Sequence, residues 1–256
     1  MNTLLEKLNS VCELLSPDKS FTLKESYIDC STDLLSIHKH DISSESTSSH
    51  NYPSELEELI RERQDGWVLD CGSGSRERKF KNVINFEIHP YPGVDVVGIA
   101  EELPFKNQSF ELVISLAVLE HVKNPEKAAR EMQRVLKPGG LIWIDVAFMQ
   151  PYHGYPAHFY NMTQQGLEQL LTKEMKIIRD EVPRYGTPIW SLSWIVSKYA
   201  NCLPPSTRET FLSLPISELL KSPEVLCEES FATDLDEVSR KEMAATVSIL
   251  ARKEHN

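Results

Sequence analysis

A short apolar strand that runs directly into a glycine turn is the feature of this sequence that most restricts its fold. Residues 67–74 read Trp-Val-Leu-Asp-Cys-Gly-Ser-Gly. Gly72 and Gly74 have no Cβ, so the backbone can turn sharply there and lie directly against a ligand. Such a unit is typical of open parallel sheets that bind nucleotides at the carboxyl ends of their strands.

An acidic residue on the next predicted strand narrows the choice of ligand. Glu87 follows Asp70 at close to the spacing of roughly 20 residues at which a carboxylate accepts the hydroxyls of a bound ribose. The third glycine of the dinucleotide fingerprint is missing, because its position holds Glu77, whose charge would repel a pyrophosphate. We therefore expect an adenosine-like, cationic ligand without phosphates.

The later motifs follow an order that is found in a known family. They are Glu101-Glu102-Leu103-Pro104-Phe105, Ser109 to Ser115, Leu119-Glu120-His121-Val122, and Val135 to Gly140. In this order the chain resembles the class I S-adenosylmethionine-dependent methyltransferases, in the branch called methyltransferase type 11, from about Trp67 to Leu171 and more weakly to Arg252. The resemblance implies S-adenosylmethionine as the cofactor. It also implies an α/β fold: a Rossmann-like, doubly wound, seven-stranded and mostly parallel sheet with a C-terminal antiparallel hairpin.

The same resemblance implies a set of cofactor-binding residues. They are Asp70, Gly72 and Gly74 for the methionyl end, Glu87 for the ribose, Ala100 and Glu101 near the adenine, and Ser115 and Leu116 as the floor. Ile99 stands where relatives commonly place an acid for the adenine amino group. Either a backbone carbonyl or Glu101 takes that role, or the affinity is lower. Asp70 has an alternative role as a buried acid that caps its own glycine turn.

Apolar runs along the chain predict the elements of this sheet. Strands are expected at 67–70, 83–88, 94–98, 112–115 and 141–148. The clearest helix runs from Asn124, which caps it, to Leu136, and Gly139-Gly140 ends it. Only eight residues separate Gly74 from Val83, so a loop or a single turn should connect the first two strands. Two late runs, Met175 to Val182 and Ala244 to Ala251, could form the hairpin.

The chain divides into regions of different composition. Residues 1–50 form a predicted accessory region, which opens with an amphipathic helix pattern and ends in the Ser-rich linker Ser43 to Ser49. Residues 51–256 form the predicted methyltransferase domain, and Ser54 and Glu57 have capping-box spacing at its first helix. Within it, residues 184–243 are expected to form a helical insertion that covers the substrate side. Alternatively, its tryptophans only seal the insertion against the sheet.

A loop rich in histidine and tyrosine, residues 148–163, follows the last of these parallel strands. His153, and after it His158, are the candidate catalytic residues, since imidazole can remove a hydroxyl proton near neutral pH. The candidate substrate-binding residues are Tyr152, Tyr155, Tyr160 and His121. The alternative is that the loop side chains only fix the loop and that His121 only packs in a helix turn. His153 and His158 could join Asp145 or His121 around a metal ion, but their spacing matches no strong ligand pattern, so we expect no metal.

Composition excludes several classes of protein. The 256 residues carry a formal charge of −11, which disfavours nucleic acid and anionic membranes as partners. No apolar stretch reaches the roughly 20 residues of a membrane span. Met1 to Ser10 also lacks the basic start and apolar centre of a secretion signal, so we expect a cytoplasmic protein. The five cysteines are scattered and include no CxxC pair, which indicates reduced thiols. Oligomeric state is left open.

Three functions fit these patterns. The first is S-adenosylmethionine-dependent methyl transfer to a small molecule, at oxygen, with His153 or His158 orienting or deprotonating the acceptor. The second is a non-catalytic, cofactor-binding partner or regulatory subunit, which Ile99 and the short first crossover favour. The third is a nicotinamide oxidoreductase, which Glu77 disfavours.

Overall fold

A computed structural model describes residues 2–31, 51–77, 79–154, 157–249 and 251–252. The described residues divide into two compact units. Unit 1 comprises those within 1–148 and 154–179, and unit 2 comprises those within 149–153 and 180–256. The predicted linker at 43–49 and Tyr155 lie outside the described residues.

Unit 1 is built on a mostly parallel sheet. The seven strands found among the described residues are β1 (Thr22–Leu23), β2 (Ile28–Asp29), β3 (Val68–Cys71), β4 (Val83–Glu87), β5 (Val96–Val97), β6 (Phe110–Leu116) and β7 (Leu136–Asp145). Their order is β1-β2-β5-β4-β3-β6-β7, and only β1 and β2 pair antiparallel. The predicted Rossmann-like α/β class is confirmed.

The strand order reverses between β3 and β6. The chain runs outward from β3 to β4 and β5, and then returns to β6 on the other side of β3. β7 follows next to β6. Open α/β sheets bind ligands where the order reverses, outside the carboxyl ends of the strands. The fold therefore places the glycine turn after β3 at the edge where a ligand is expected.

Helices cover both faces of the sheet. Unit 1 contains α1 (Asn2–Leu14), α2 (Ser54–Arg61), α3 (Pro125–Val135), α4 (Gln164–Glu168) and a 3₁₀ turn at Ala100–Glu102. Successive strand side chains point to opposite faces. Leu69 packs in one buried cluster with Leu8 of α1 and Ala128 of α3, whereas Val68 packs in another with Leu56 of α2. The doubly wound arrangement follows from this alternation.

A buried ion pair ties α1 to the sheet. Lys7 Nζ lies 2.7 Å from Asp95 Oδ2 and donates to the Val83 carbonyl at 2.6 Å. The Asp95 side chain is fully buried and also accepts the Asn85 N–H at 2.9 Å. The described part of the predicted accessory region thus belongs to unit 1, while the boundary at residue 50 stays a prediction.

Two helix starts were predicted from capping signals, with different outcomes. At α3, the Asn124 side chain accepts the Lys127 N–H at 2.9 Å, as expected, and the helix ends at Val135. At α2, the helix is confirmed but its capping box is wrong. Pro53 occupies the N-cap, and Ser54 is already the first helical residue. Proline has a φ suited to a helix start but no side-chain acceptor.

The prediction of a short crossover between the first two core strands is confirmed, and the prediction of a C-terminal hairpin is wrong. No helix forms among the described residues between Gly74 and Val83. No strand forms at Met175 to Val182 or in the described part of Ala244 to Ala251; the antiparallel pair of the sheet lies at the N-terminal end instead. The first run is anchored by side chains, since the Arg179 guanidinium carbon lies 4.6 Å from the Trp143 ring centre. Ile178 is 75% exposed, which a covered strand would not allow.

Unit 2 is helical. Its helices are α5 (Pro188–Asn201), α6 (Pro205–Ser213), α7 (Pro223–Leu226), α8 (Ser230–Thr233) and α9 (Glu237–Glu242), with 3₁₀ turns at Arg184–Gly186 and Ile216–Leu220. They pack around Phe211, whose ring centre lies 5.0 Å from Tyr199 and 5.6 Å from Phe231. The helical character of the insertion is as expected, and its role as a cover stays a prediction. Within the described ranges, no helix has the length and hydropathy needed to cross a membrane.

Candidate functional site

The turn after β3 requires glycine. Gly72 and Gly74 adopt φ values of +82° and +61°, which side chains disfavour. A Cβ added to Gly72 would lie 2.3 Å from Val118 Cγ2, on the turn that follows β6. The Gly72 N–H donates to the Phe86 carbonyl at 2.8 Å. The turns of two neighbouring strands therefore pack directly against each other.

Glu87 holds the glycine turn from the neighbouring strand. Its Oε2 accepts the Gly74 N–H at 2.9 Å, and its Oε1 accepts the Ile88 N–H at 2.7 Å. Burial raises the pKa of Glu87, and backbone hydrogen bonds from Gly74, Ile88 and His89 oppose that rise. The structure thus brings the predicted ribose acceptor into contact with the predicted cofactor turn.

Asp70, at the end of the apolar run that leads into the turn, lies in a buried polar cluster. Its Oδ2 accepts the Tyr52 hydroxyl at 2.6 Å and lies 2.8 Å from Arg76 Nε. The Arg76 guanidinium carbon sits 4.1 Å from the Tyr52 ring centre. Burial raises the pKa of Asp70, while the Arg76 charge and the Tyr52 hydroxyl oppose this. The backbone N–H groups of the turn donate to the Phe86 carbonyl and to the Glu87 carboxylate, so Asp70 does not cap its own turn.

Two buried polar atoms near the point of strand reversal have no hydrogen-bond partner within the described part of the chain. They are Oδ1 of Asp70 and Oγ of Ser115, and both residues are fully shielded from solvent. An unsatisfied buried polar group costs about 1–3 kcal/mol, so such atoms are commonly found where a ligand supplies the partner. This pair of atoms and the Cβ-free turn fit a ligand with polar groups at this edge.

The remaining predicted cofactor residues lie after β5 and at the end of β6. Ala100 and Glu101 are buried in the 3₁₀ turn that follows β5. Glu101 Oε1 accepts the Asn124 N–H, at 3.4 Å. Leu116 is half-buried as the last residue of β6. Each of these residues comes from the carboxyl end of a parallel strand, as expected.

A strained turn follows β6 and leads to two titratable residues. Ala117 has a φ of +55°, and its N–H donates to the Asp145 carbonyl at 3.0 Å. Glu120 is fully buried, and its Oε1 accepts the Ala147 N–H at 3.3 Å. Burial, with a smaller effect of Asp145, raises the pKa of Glu120 to about 7. Glu120 was not among the predicted site residues. The one sequence feature that could have identified it is its position directly before the predicted site residue His121.

His121 is held in one orientation. Its Nδ1–H donates to the Ala157 carbonyl at 2.6 Å, so Nε2 carries the lone pair when the ring is neutral. Burial is the main cause that lowers the pKa of His121, and His158 lowers it further. His121 is therefore neutral at physiological pH, with a nitrogen able to accept a proton.

The unit 1 part of the histidine-rich loop lies beside His121. His158 Nε2–H donates to Asn161 Oδ1 at 2.8 Å and to the Tyr160 carbonyl at 3.0 Å. The His158 and His121 ring centres are 5.7 Å apart. The Tyr160 hydroxyl donates to the Lys123 carbonyl at 3.0 Å. Three predicted site residues, His121, His158 and Tyr160, are thus brought together.

Tyr152 and His153 belong to unit 2. The His153 ring centre lies 5.2 Å from a Trp194 ring, and its Nδ1–H donates to the Pro151 carbonyl at 2.9 Å. The Tyr152 backbone is held at both ends: its N–H donates to the Glu242 carbonyl at 2.9 Å, and its carbonyl accepts Lys198 Nζ at 2.6 Å. The loop residues that the sequence grouped are therefore divided between the two units.

Comparison with known proteins identifies one segment of the chain. Residues 71–144 match the family model described as a methyltransferase domain. An uncharacterised protein of Methanocaldococcus jannaschii is 33% identical over 111 residues, which cover 37% of this chain and 51% of that protein. The ubiquinone/menaquinone biosynthesis C-methyltransferase of Pseudoalteromonas translucida is 43% identical over 54 residues, 21% of each chain.

A solved structure aligns with a longer part of the chain. The YcgJ protein of Bacillus subtilis is 19% identical, with a TM-score of 0.38, and the alignment covers 60% of this chain and 86% of that one. Against the curated relatives, this chain spans about half of the length or less: 51% and 42% for two M. jannaschii proteins. The matched segment, 71–144, contains the glycine turn, Glu87, and the turn after β6.

Proposed function

We propose that this chain, which belongs to the class I S-adenosylmethionine-dependent methyltransferases through residues 71–144, transfers a methyl group to an oxygen atom of a small molecule. The observation that carries the proposal is the site at the point of strand reversal. There, the glycine turn is held by Glu87, and Asp70 and Ser115 each present a buried polar atom that has no hydrogen-bond partner among the described residues.

The cofactor is S-adenosylmethionine, and the residues at this edge fit it. We assign Asp70, Gly72 and Gly74 to its methionyl end, Glu87 to its ribose, Ala100 and Glu101 to its adenine, and Ser115 and Leu116 to the pocket floor. When bound, the cofactor supplies a methyl group on positively charged sulfur. Carboxylates and Cβ-free backbone suit a cationic ligand without phosphates.

The acceptor is a hydroxyl compound, because its proton must be removed and imidazoles are available for this. Three histidines are the candidates: His121 and His158 in unit 1 and His153 in unit 2. Tyr152, Tyr155 and Tyr160 are proposed to contact the acceptor. Relatives with named activities act at other atoms, such as the norajmaline N-methyltransferase of Rauvolfia serpentina, so the histidines alone support oxygen. All five cysteines are free thiols, which supports a cytoplasmic location.

Calorimetry with S-adenosylmethionine and S-adenosylhomocysteine tests the cofactor assignment. We expect saturable binding that weakens at least about 100-fold in Asp70→Ala and Glu87→Lys, because each loses a charged hydrogen bond in a buried site. Glu126→Lys, at an exposed position on α3, is the matched control and should bind normally. Unchanged binding in both site variants would reject the pocket.

Transfer of a labelled methyl group to a panel of phenols, sugars and aliphatic alcohols tests the reaction, with mass spectrometry to locate the methyl group. Methylation at nitrogen or carbon alone would contradict the oxygen assignment.

A second candidate function is cofactor binding without catalysis, as a partner subunit. The crossover between Gly74 and Val83, which has no helix among its described residues, favours it because this departs from the family pattern. A stable complex with another protein that survives loss of His121, His153 and His158 would support this alternative.

A further inference from the structure

The turn after β6 places a histidine and a buried carboxylate beside the proposed cofactor turn. Val118 occupies the space next to Gly72, since a Cβ on Gly72 would meet it at 2.3 Å. The backbone N–H of His121 donates to the Val118 carbonyl at 2.8 Å. His121 is therefore one short turn away from the residues assigned to the methionyl end of the cofactor, where the methyl group is transferred.

Glu120 and His121 form a close pair. A carboxylate oxygen of Glu120 and a ring nitrogen of His121 lie within 4.8 Å of each other. The pair is held on both sides: Ala147 donates to the Glu120 carboxylate, and Ala157 accepts from the His121 ring. Fixed backbone partners of this kind set the orientation of a catalytic imidazole.

We propose that His121 is the catalytic base that removes the proton of the acceptor hydroxyl, and that Glu120 is the positioning residue that stabilises the charge His121 acquires. This inference rests on the proposed function. The acceptor oxygen gains the methyl carbon and loses its proton to the lone pair of His121, while the bonding electrons of the broken C–S bond stay on sulfur. The positive charge thus passes from sulfur to the imidazole, beside the Glu120 carboxylate.

The charges around the pair support this division of roles. Among the described residues of unit 1, Asp145 at the end of β7 raises the pKa of Glu120, and His158 on the loop lowers that of His121. Burial lowers the pKa of His121 and raises that of Glu120 to about 7. Above neutral pH the ring is therefore neutral and the carboxylate charged, which is the state that a proton acceptor and its counter-ion require.

Histidine NMR tests the pair without any acceptor. In the wild-type protein, free and saturated with S-adenosylhomocysteine, the His121 Cε1–H resonance should show a second inflection near pH 7 as Glu120 ionises. Glu120→Gln should remove this inflection, and the matched control Glu126→Gln should keep it. A single inflection in the wild-type protein overturns the pairing, and this reading needs no variant to fold.

Kinetics tests the base with a hydroxylated acceptor from the panel. His121→Gln should lower kcat at least about 100-fold while the Kd for S-adenosylhomocysteine is unchanged. In Glu120→Gln, the rise of activity with pH should move below neutrality, with a lower plateau. A kcat within tenfold of wild type in His121→Gln overturns the proposal. If S-adenosylhomocysteine does not bind the wild-type protein, the proposed function fails instead, so the two failures are distinct.

Discussion

Two neighbouring turns at the same edge of the sheet both contain residues with positive φ, but the residue types differ. After β3, positive φ values fall on Gly72 and Gly74, which tolerate them. After β6, a positive φ falls on Ala117, whose Cβ makes that region unfavourable by about 1–2 kcal/mol. The first turn is relaxed and faces the proposed cofactor; the second is strained and carries Glu120 and His121. Backbone strain is common at sites where a side chain must be aimed.

The two turns also differ in the kind of buried carboxylate that lies beside them. Asp70 is paired with a cation, Arg76. Glu120 accepts from a backbone N–H and takes up its proton near neutral pH, because burial raises its pKa to about 7. A carboxylate that is paired with a cation, such as Asp70, can serve binding through its constant charge. A carboxylate that titrates near neutral pH, such as Glu120, can instead change its charge when a nearby group gains or loses a proton.

Removing the cation beside Asp70 should have the largest effect. Arg76→Met should lower the free energy of unfolding by about 3–5 kcal/mol, because it leaves a buried charge without its counter-ion. Tyr52→Phe is the control: it removes one hydrogen bond to the same carboxylate and should cost about 1.5–3 kcal/mol. Urea denaturation measures both. Equal losses would mean that Asp70 carries no charge in the folded protein.

Adding a methyl group to the first turn should be nearly as damaging. Gly72→Ala should cost about 2–4 kcal/mol, since the residue is at positive φ and the new Cβ meets Val118. Combining it with Val118→Ala should recover only the part due to the clash. If the double variant regains wild-type stability, the backbone conformation at Gly72 carries no cost.

The buried carboxyl of the second turn should make stability depend on pH. Because the folded pKa of Glu120 is raised from 4.5 to about 7, the folded state keeps a proton that the unfolded chain releases. The free energy of unfolding should therefore fall, by up to about 3 kcal/mol, as pH rises from 4.5 to 7. Thermal melts across this range should show a smaller fall in Glu120→Gln, while Glu126→Gln should follow the wild type.

The smallest expected effect is a gain in stability from a substitution at Ala117. Ala117→Gly should stabilise the protein by about 0.5–1 kcal/mol, because relief of the positive φ exceeds the added entropy of the unfolded chain. Ala117→Val should destabilise it, since β-branched residues tolerate this region least. A loss of stability in the glycine variant would show that Ala117 makes contacts that outweigh its strain.

Local patterns predicted the central sheet, and the exceptions have physical causes. The helix capped by Asn124 and the turn at Gly72 are encoded within a few residues, so they could be identified from sequence. The Tyr52 contact with Asp70 joins residues 18 positions apart, and periodicity says nothing about it. The hairpin was inferred from two apolar runs, but Ile178 and Ile249 are exposed in the structure. Apolar alternation shows only that a strand is compatible, not that a neighbouring strand is available to pair with it.

The ion pair between Lys7 and Asp95 has a consequence for how the chain is made. Its partners are 88 positions apart, so during synthesis Lys7 leaves the ribosome roughly 4–18 seconds before Asp95. Until then, the first helix has no sheet to pack on, and its apolar side, with Leu8 and Val11, is open to chaperones or to other chains. A shortened protein that begins at residue 51 would have the converse defect: a buried aspartate without its cation, and an uncovered patch on the sheet.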